Sequence, residues 1–208
     1  IYFRDMMTFT KKQLDTCSNC ILSCKRKPPT VQLQHAEIAP VGSRLFIDIL
    51  QLAPARDSVS GEIMKYAIVA VDEGSRYLTI IPCKDTTSQT VVNLIDRHIF
   101  AVYSIPNKIQ CDLGPQFASG QFHDLCARYN ISLHHSSAAN HKSCSIVEER
   151  NSDINNTLRR LLLGAQDQWL KVLPQVVLGL NCTASTVTGN SAFELFFARQ
   201  PRTAINFT

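Results

Sequence analysis

RLFIDILQL, residues 44–52, sets a single carboxylate among six apolar side chains. Successive side chains on a strand point to opposite faces. Leu45, Ile47 and Ile49 therefore share one face, and Phe46, Asp48 and Leu50 share the other. A stretch apolar on both faces belongs inside a sheet that is covered on both sides. An unpaired buried carboxylate is expensive, so Asp48 either meets solvent along its face or has work to do, and position alone leaves both readings open.

Working outward, KYAIVAVD (65–72) and RYLTIIPC (76–83) read as two further strands, joined through Glu73-Gly74-Ser75 as a hairpin. TSQTVVNLIDRHIFAVY (87–103) brings Val91, Leu94, Ile95, Ile99 and Val102 to one helical face and stops before Pro106. KIQCD (108–112) reads as a fourth strand, Ser119 caps a short helix that buries Phe122, Leu125, Cys126 and Tyr129, and ISLHHSS (131–137) is a fifth strand. The rest is helical. Ile154, Leu158, Leu161 and Leu162 form one apolar stripe, and Trp169, Val172, Leu173, Val176, Val177 and Leu180 form another. The order implies an α/β domain whose mixed sheet is covered by helices. Residues 1–24 read as a helical segment leading into CSNCILSC, residues 25–43 as a proline-bearing linker, and 44–208 as the main domain.

With 208 residues, 45% of them hydrophobic, the chain can bury a sizeable core. Its apolar runs fall short of the ~20 residues that cross a bilayer, so a soluble protein without membrane partners is expected. It opens on Ile1 in mid-pattern, which suggests a piece of a longer polypeptide. A net charge of +4 and a pI near 8.7 are compatible with a polyanionic partner but do not demonstrate one. Of the eight cysteines, Cys17, Cys20 and Cys24 cluster, and the others are scattered, which reads as buried thiols in a reducing, intracellular compartment, nuclear or cytoplasmic. The Asn-x-Ser/Thr sequons at Asn130, Asn155, Asn181 and Asn206 then read as chance.

Two more acids stand out. Asp112 closes the fourth strand before Gly114 and Pro115, where ligands gather in open α/β sheets; a turn aspartate bonded to nearby amides is the plainer reading. Glu148 shares a helix face with Ser152, Asn155 and Arg159, yet Ser145 and Glu148 also have the spacing of a capping box. The positions between Asp112 and Glu148, 113–147, number 35, and those between Asp48 and Asp112, 49–111, number 63.

That spacing resembles the signature of retroviral and LTR-retrotransposon integrase catalytic cores, gypsy-like or Pao-like: Asp, Asp, 35 residues, Glu. CDLGPQFASG (111–120) is similar to the family's D-x-G-x-x-F motif through Asp112, Gly114 and Phe117. AVDEGSR (70–76) is similar to its VVDxxSR-like stretches, and Val147, Glu148 and Asn151 match its V-E-x-x-N helix. WLKVLPQVVLGLNCTASTVTGNSAFELFFARQPR (169–202) resembles its W, LP, N, TG and R-x-P ending. The resemblance implies a ribonuclease H-like, mixed five-stranded sheet with helices on both faces. It also implies DNA 3′-end processing and strand transfer, and a homo-oligomer acting on element ends and target DNA.

Cutting a strand and joining its 3′-hydroxyl to another phosphodiester needs an activated oxygen and a stabilised leaving oxygen. Two hard divalent cations ~3.5–4 Å apart supply both, and Mg²⁺ or Mn²⁺ suits oxygen ligands. The resemblance implies Asp48 bridging the two ions, with Asp112 and Glu148 each completing one. Glu149 would give 36 intervening residues and points about 100° away on a helix; Asp72 reads as the hairpin Asp of a non-catalytic stretch. Lys142, Arg150, Asn155 and Arg159 are candidate nucleic-acid contacts, against a merely solvated face. His134, His135 and His141 flank the site without an assigned role.

At the amino end, Cys17 and Cys20 have zinc-ligand spacing. The resemblance implies the tail of an H-H-C-C module whose two histidines are absent, so the Zn²⁺ ligand set is incomplete, with Cys24 and His35 off the family positions. Departures include Cys144-Ser145 where the family usually carries Gly before its Glu, and no Trp in the first strand. A domesticated, non-catalytic DNA-binding or scaffold protein that keeps the fold is the alternative, and a ribonuclease H acting on hybrids is a second enzyme reading.

Overall fold

The first strand runs longer than its apolar stretch and lies at the centre of the sheet. In the computed structural model the described residues are 39–135, 141–186 and 188–202, with the side chains of 141–145 excepted. Strands β1 (Arg44–Arg56), β2 (Ile63–Asp72), β3 (Leu78–Cys83), β4 (Lys108–Cys111) and β5 (Ser132–His135) form one sheet in the order β3-β2-β1-β4-β5. β1 pairs antiparallel with β2 and parallel with β4, and β4 pairs parallel with β5. This is the mixed five-stranded, ribonuclease H-like architecture.

The period-two pattern of β1 sorts two cores. Ile47, with Leu45 and Ile49 beside it, faces the helices α1 (Ser88–Ile95) and α3 (Gly120–Arg128), where Val91, Ile95, Phe122 and Leu125 are buried. Phe46, with Leu50 and Leu52, faces α4 (His141–Leu162) and α5 (Trp169–Cys182), where Ile154, Leu158, Trp169 and Leu173 are buried. Residues 67–72 of β2 are buried on both sides, as a near-continuous apolar run demands. A short α6 (Ala192–Phe197) closes the described chain and is held by a Ser191–Glu194 capping box.

Two residues leave the faces their spacing assigned. Val102 is 62% exposed. Between α1 and the short α2 (Ala101–Tyr103) lies a π-helical segment, Asp96–Phe100, and the wider turn slips the register by one residue. Phe100 is buried instead, and Tyr103 packs on the core in place of Val102. Leu161 is 52% exposed because it, Leu162 and Leu163 are consecutive at the end of α4 and only Leu162 reaches the core.

Polar groups close the edges. Asp72 is buried and accepts from the Gly42 amide (2.8 Å), the Ser75 amide (2.8 Å) and the Ser75 hydroxyl (2.6 Å), so it builds the hairpin. Gly74 is obligatory there, since a Cβ would sit 2.5 Å from the Ala39 carbonyl oxygen and 2.9 Å from the Val41 nitrogen. Asn181 is buried as well, which removes its sequon from any surface role. No helix among the described residues is long and apolar enough to cross a membrane.

Candidate functional site

The parallel pairing of β1 and β4 matches Arg44 with Lys108, Leu45 with Ile109 and Phe46 with Gln110. Carried two residues further, the same register sets Asp112 level with Asp48 on the face of Phe46. Adjacent strands lie ~4.8 Å apart. Asp112 follows Cys111, the last residue of β4, and its Oδ1 accepts from the Gly114 amide at 2.9 Å. The plain turn reading of Asp112 is thus correct in its hydrogen bond, and the same bond fixes the carboxylate at the strand's end.

Asp48 lies half-buried in mid-strand. Its Oδ1 accepts from the Ile49 amide at 2.8 Å, and its Oδ2 accepts from Asn151 Nδ2 at 2.7 Å. Burial raises its pKa above the ordinary carboxylate value; these two hydrogen bonds oppose the rise, and the charges of Asp112 and Glu148 add to it. The three acids therefore share one electrostatic neighbourhood.

Helix α4 brings the third acid. Val147, Ile154, Leu158 and Leu162 anchor it to the sheet. Asn151 reaches Asp48 from that helix, and Glu148, three residues earlier, lies on the same side. Glu149 is turned away by about 100°, and only Glu148 of the two contributes to the rise at Asp48. The helix begins at His141, so Ser145 stands inside it and the capping-box explanation of Glu148 is overturned.

Around the acids, the Cys111 thiol is pushed up to about 12, by burial first and then by the charges of Asp112, Cys126 and Asp48, and stays protonated. His135 Nδ1 lies 3.1 Å from the Asp112 carbonyl oxygen and 3.7 Å from Cys111 Sγ. Because a carbonyl only accepts, Nδ1 carries the proton.

Whether these residues suit a divalent cation turns on donor chemistry. All three acids offer hard oxygen, and among the described residues Asn151 Oδ1 is a buried acceptor with no partner, open to a donor such as a water. Among the described residues no group of three His, Cys, Asp or Glu is gathered tightly enough to form a ready cage. Like charges drawn together without a counter-ion repel. The chemistry of the donor set fits a hard cation.

The other sequence candidates part company. Arg150 is committed, since its Nη2 donates to the Arg76 carbonyl (3.1 Å) and its Nη1 lies 3.6 Å from Asp153 Oδ2, which ties α4 to the β2–β3 hairpin. Asn155 and Arg159 line a cleft of ≈ 220 Å³ farther along α4. The Lys142 side chain, Cys17, Cys20, Cys24 and His35 lie outside the described residues. Asn151 entered the sequence reading only as a match to the V-E-x-x-N helix and His135 only as a flanking residue, and neither was given a role in the site. The signal for Asn151 was its offset of three from Glu148; for His135 it was the pairing of its strand with the one that ends at Cys111.

Residues 41–141 match the model of the family described as integrase core domain, a span that holds Asp48 and Asp112 and stops before Glu148. The Gag-Pol polyprotein of avian reticuloendotheliosis virus is 31% identical over 137 residues, which are 66% of this chain and 12% of that polyprotein. The chain thus spans about an eighth of this relative's length. Among solved structures, the simian T-cell lymphotropic virus intasome in complex with PP2A regulatory subunit B56 gamma shares the fold at a TM-score of 0.66 and 20% identity, over 95% of this chain and 68% of that one. The HTLV-2 integrase catalytic core domain in complex with magnesium, in trimeric form, does so at 0.58 and 19%, over 76% and 97%.

Proposed function

We propose that this chain, whose residues 41–141 match the integrase core domain family, is an integrase core of retroviral type, a polynucleotidyl transferase that cuts and joins DNA strands with Asp48, Asp112 and Glu148 as its catalytic carboxylates. The observation that carries the proposal is the hydrogen bond from Asn151 to Asp48. It ties the helix that bears Glu148 to the strand that bears Asp48, and the register of β4 brings Asp112 level with them.

Each residue has a role that its surroundings support. Asp48 is held in one orientation by the Ile49 amide and Asn151, so it can orient an oxygen nucleophile beside a phosphorus without first reorganising. Asp112 stands at the exposed end of β4, where Gly114 and Pro115 lead the chain off the sheet and leave room for a DNA backbone. Glu148 arrives exposed on a helix anchored over the sheet face that carries Asp48, and completes the triad from that helix. Two Mg²⁺ or Mn²⁺ ions, held by these carboxylates, would supply Lewis acidity and lower the pKa of the attacking water or hydroxyl. Asn155 and Arg159 extend the site toward the DNA backbone. The HTLV-2 core was solved with magnesium and as a trimer, which supports reading this chain as a metal-dependent homo-oligomer; action inside the cell on element ends and target DNA is part of the same proposal.

The test is strand transfer or disintegration of a branched oligonucleotide in Mg²⁺ or Mn²⁺, run beside Asp112→Asn. Joining by the wild type alone is expected. Equal activity in both, or cleavage that ignores chelation, removes the proposal. DNA binding without chemistry would favour a domesticated scaffold, and cleavage confined to RNA in hybrids would favour a ribonuclease H.

A further inference from the structure

Asp112 lies just past the last rungs of the sheet. The β1–β4 pairing ends at Phe46 with Gln110, and the β4–β5 pairing ends at Cys111 with His135. A residue that has left its ladder is held on one side only, because the peptide before it is fixed while the peptide after it swings about ψ. At Asp112 the second peptide is held as well. His135 Nδ1 donates to the Asp112 carbonyl oxygen at 3.1 Å, so a side chain of β5 supplies the next rung. Cys111 Sγ, 3.7 Å from the same nitrogen, is only a weak acceptor, which leaves the carbonyl as the principal partner.

The imidazole has its own support. His135 shares a strand face with Leu133, which packs on the core that α3 covers, and its ring centroid lies 5.8 Å from that of His123 at 51°. α3 is anchored by Phe122, Leu125 and Cys126, all buried. A chain of contacts therefore runs from that helix through His123 and His135 to the main chain of Asp112. With both flanking peptides fixed, the direction of the Asp112 Cβ is fixed, and the Gly114 amide at 2.9 Å then sets the carboxylate. The His135 bond goes to the carbonyl oxygen, so it uses none of the carboxylate lone pairs.

We infer that His135 is a positioning residue for Asp112: by holding the Asp112 carbonyl it aims that carboxylate at the point shared with Asp48 and Glu148. The inference rests on the proposal that these acids hold a divalent cation. The plainer role is stability, a donor for a carbonyl at a strand's end. The two roles part at one measurement. A bond that only stabilises the fold leaves the affinity of the folded protein for metal unchanged. A bond that aims a ligand shows in that affinity, and groups that orient metal ligands typically carry about 10–100-fold of it.

The experiment titrates the full chain with Mn²⁺ by calorimetry, after its Tm has been read in EDTA. His135→Phe keeps a ring against His123 and removes the N–H; His135→Gln keeps an amide but sets it at the Nε2 position; His135→Asn sets an amide N–H at the Nδ1 position. The phenylalanine and glutamine variants should raise the Mn²⁺ Kd about tenfold or more with a Tm in EDTA close to that of the wild type, and asparagine should recover most of the loss. Ser132→Ala, which breaks the 2.9 Å contact with His134 on the same strand, should move neither reading. Independently of any variant, long-range ¹H–¹⁵N spectra of the wild type should show the His135 ring protonated on Nδ1. An unchanged Kd in both loss variants, an asparagine variant no better than they are, loss of the fold in both, or a ring protonated on Nε2 alone overturns the inference. If the wild type binds Mn²⁺ and Asp112→Asn does not, those results remove only the role of His135; if the wild type binds none, the functional proposal fails and this inference with it.

Discussion

Replacing Asn181 by leucine would strip two hydrogen bonds from the outer edge of β3. Asn181 Oδ1 accepts from the Leu78 amide at 2.8 Å, and its Nδ2 donates to the Leu78 carbonyl at 2.8 Å. β3 is an edge strand, so these groups have no further strand to pair with, and Asn181 stands in for one. Leucine fills similar space and leaves both backbone groups buried and unpaired. At about 1–3 kcal/mol for each orphan, the loss is about 2–6 kcal/mol. For a domain of this size that lowers Tm by about 5–20 °C, readable by urea titration and thermal circular dichroism. Asn181→Asp sharpens the test. It keeps an acceptor for the Leu78 amide but sets a second carboxylate oxygen against the Leu78 carbonyl, which raises the folded pKa of the new acid above its unfolded ~3.9. Its deficit relative to the wild type should be smallest below pH ~4 and grow as pH rises through the folded value. A leucine variant within about 0.5 kcal/mol of the wild type, or an aspartate variant whose deficit ignores pH, would refute the edge-closing role.

Gly74→Ala should cost about 1–3 kcal/mol or more in urea titration, because the new Cβ meets the backbone of Ala39, Pro40 and Val41 rather than a flexible side chain. Trp169→Phe should cost about 1–3 kcal/mol by leaving the Ala53 carbonyl without the indole donor at 2.8 Å, and more for the void the smaller ring leaves at this fully buried position. Asp48→Asn in EDTA should stabilise the fold. The pKa of Asp48 is raised on folding, chiefly by burial, so its ionisation is a penalty that is absent below the unfolded pKa and grows as pH rises through the folded one; the variant's advantage should follow that window. In Mg²⁺ the order should reverse, since the wild type gains about 1.4 kcal/mol at tenfold the metal Kd and the variant gains little. A wild-type Tm that ignores Mg²⁺ would sink the metal-ligand reading.

The sheet was legible in the sequence where side-chain period and burial agree. Alternation in RLFIDILQL separated Leu45, Ile47 and Ile49 from Phe46, Asp48 and Leu50, and the two cores divide along that line. The register of the helix before Pro106 was not legible past Asp96. A π-helical segment leaves the residue types unchanged while it moves Val102 off the face and Tyr103 onto it. The leucine run at 161–163 misled for a similar reason, because a helix can turn only one of three consecutive residues fully toward the sheet. At the site, each acid alone supported a plain reading, and the spacing joined them. The levelness of Asp48 and Asp112 depends on strand register, which no local pattern encodes. The contact from Asn151 links residues 103 positions apart.

That contact bears on why an acid can sit at Asp48 at all. A carboxylate at a strand's lip, as at Asp112, reaches solvent cheaply, whereas one in the middle of the central strand cannot. Asp48 therefore depends on two donors, and both are of kinds that do not compete with a cation for charge: a backbone amide and a neutral side-chain amide. A lysine or arginine partner would lower its pKa further but would neutralise the negative charge that a hard cation needs. Asn151 holds the carboxylate and leaves its charge in place, and among the described residues its own Oδ1 is buried and unpaired. A neutral partner with an unsatisfied acceptor is a poor choice for stability alone and a reasonable one for a site that gains its last ligands on binding.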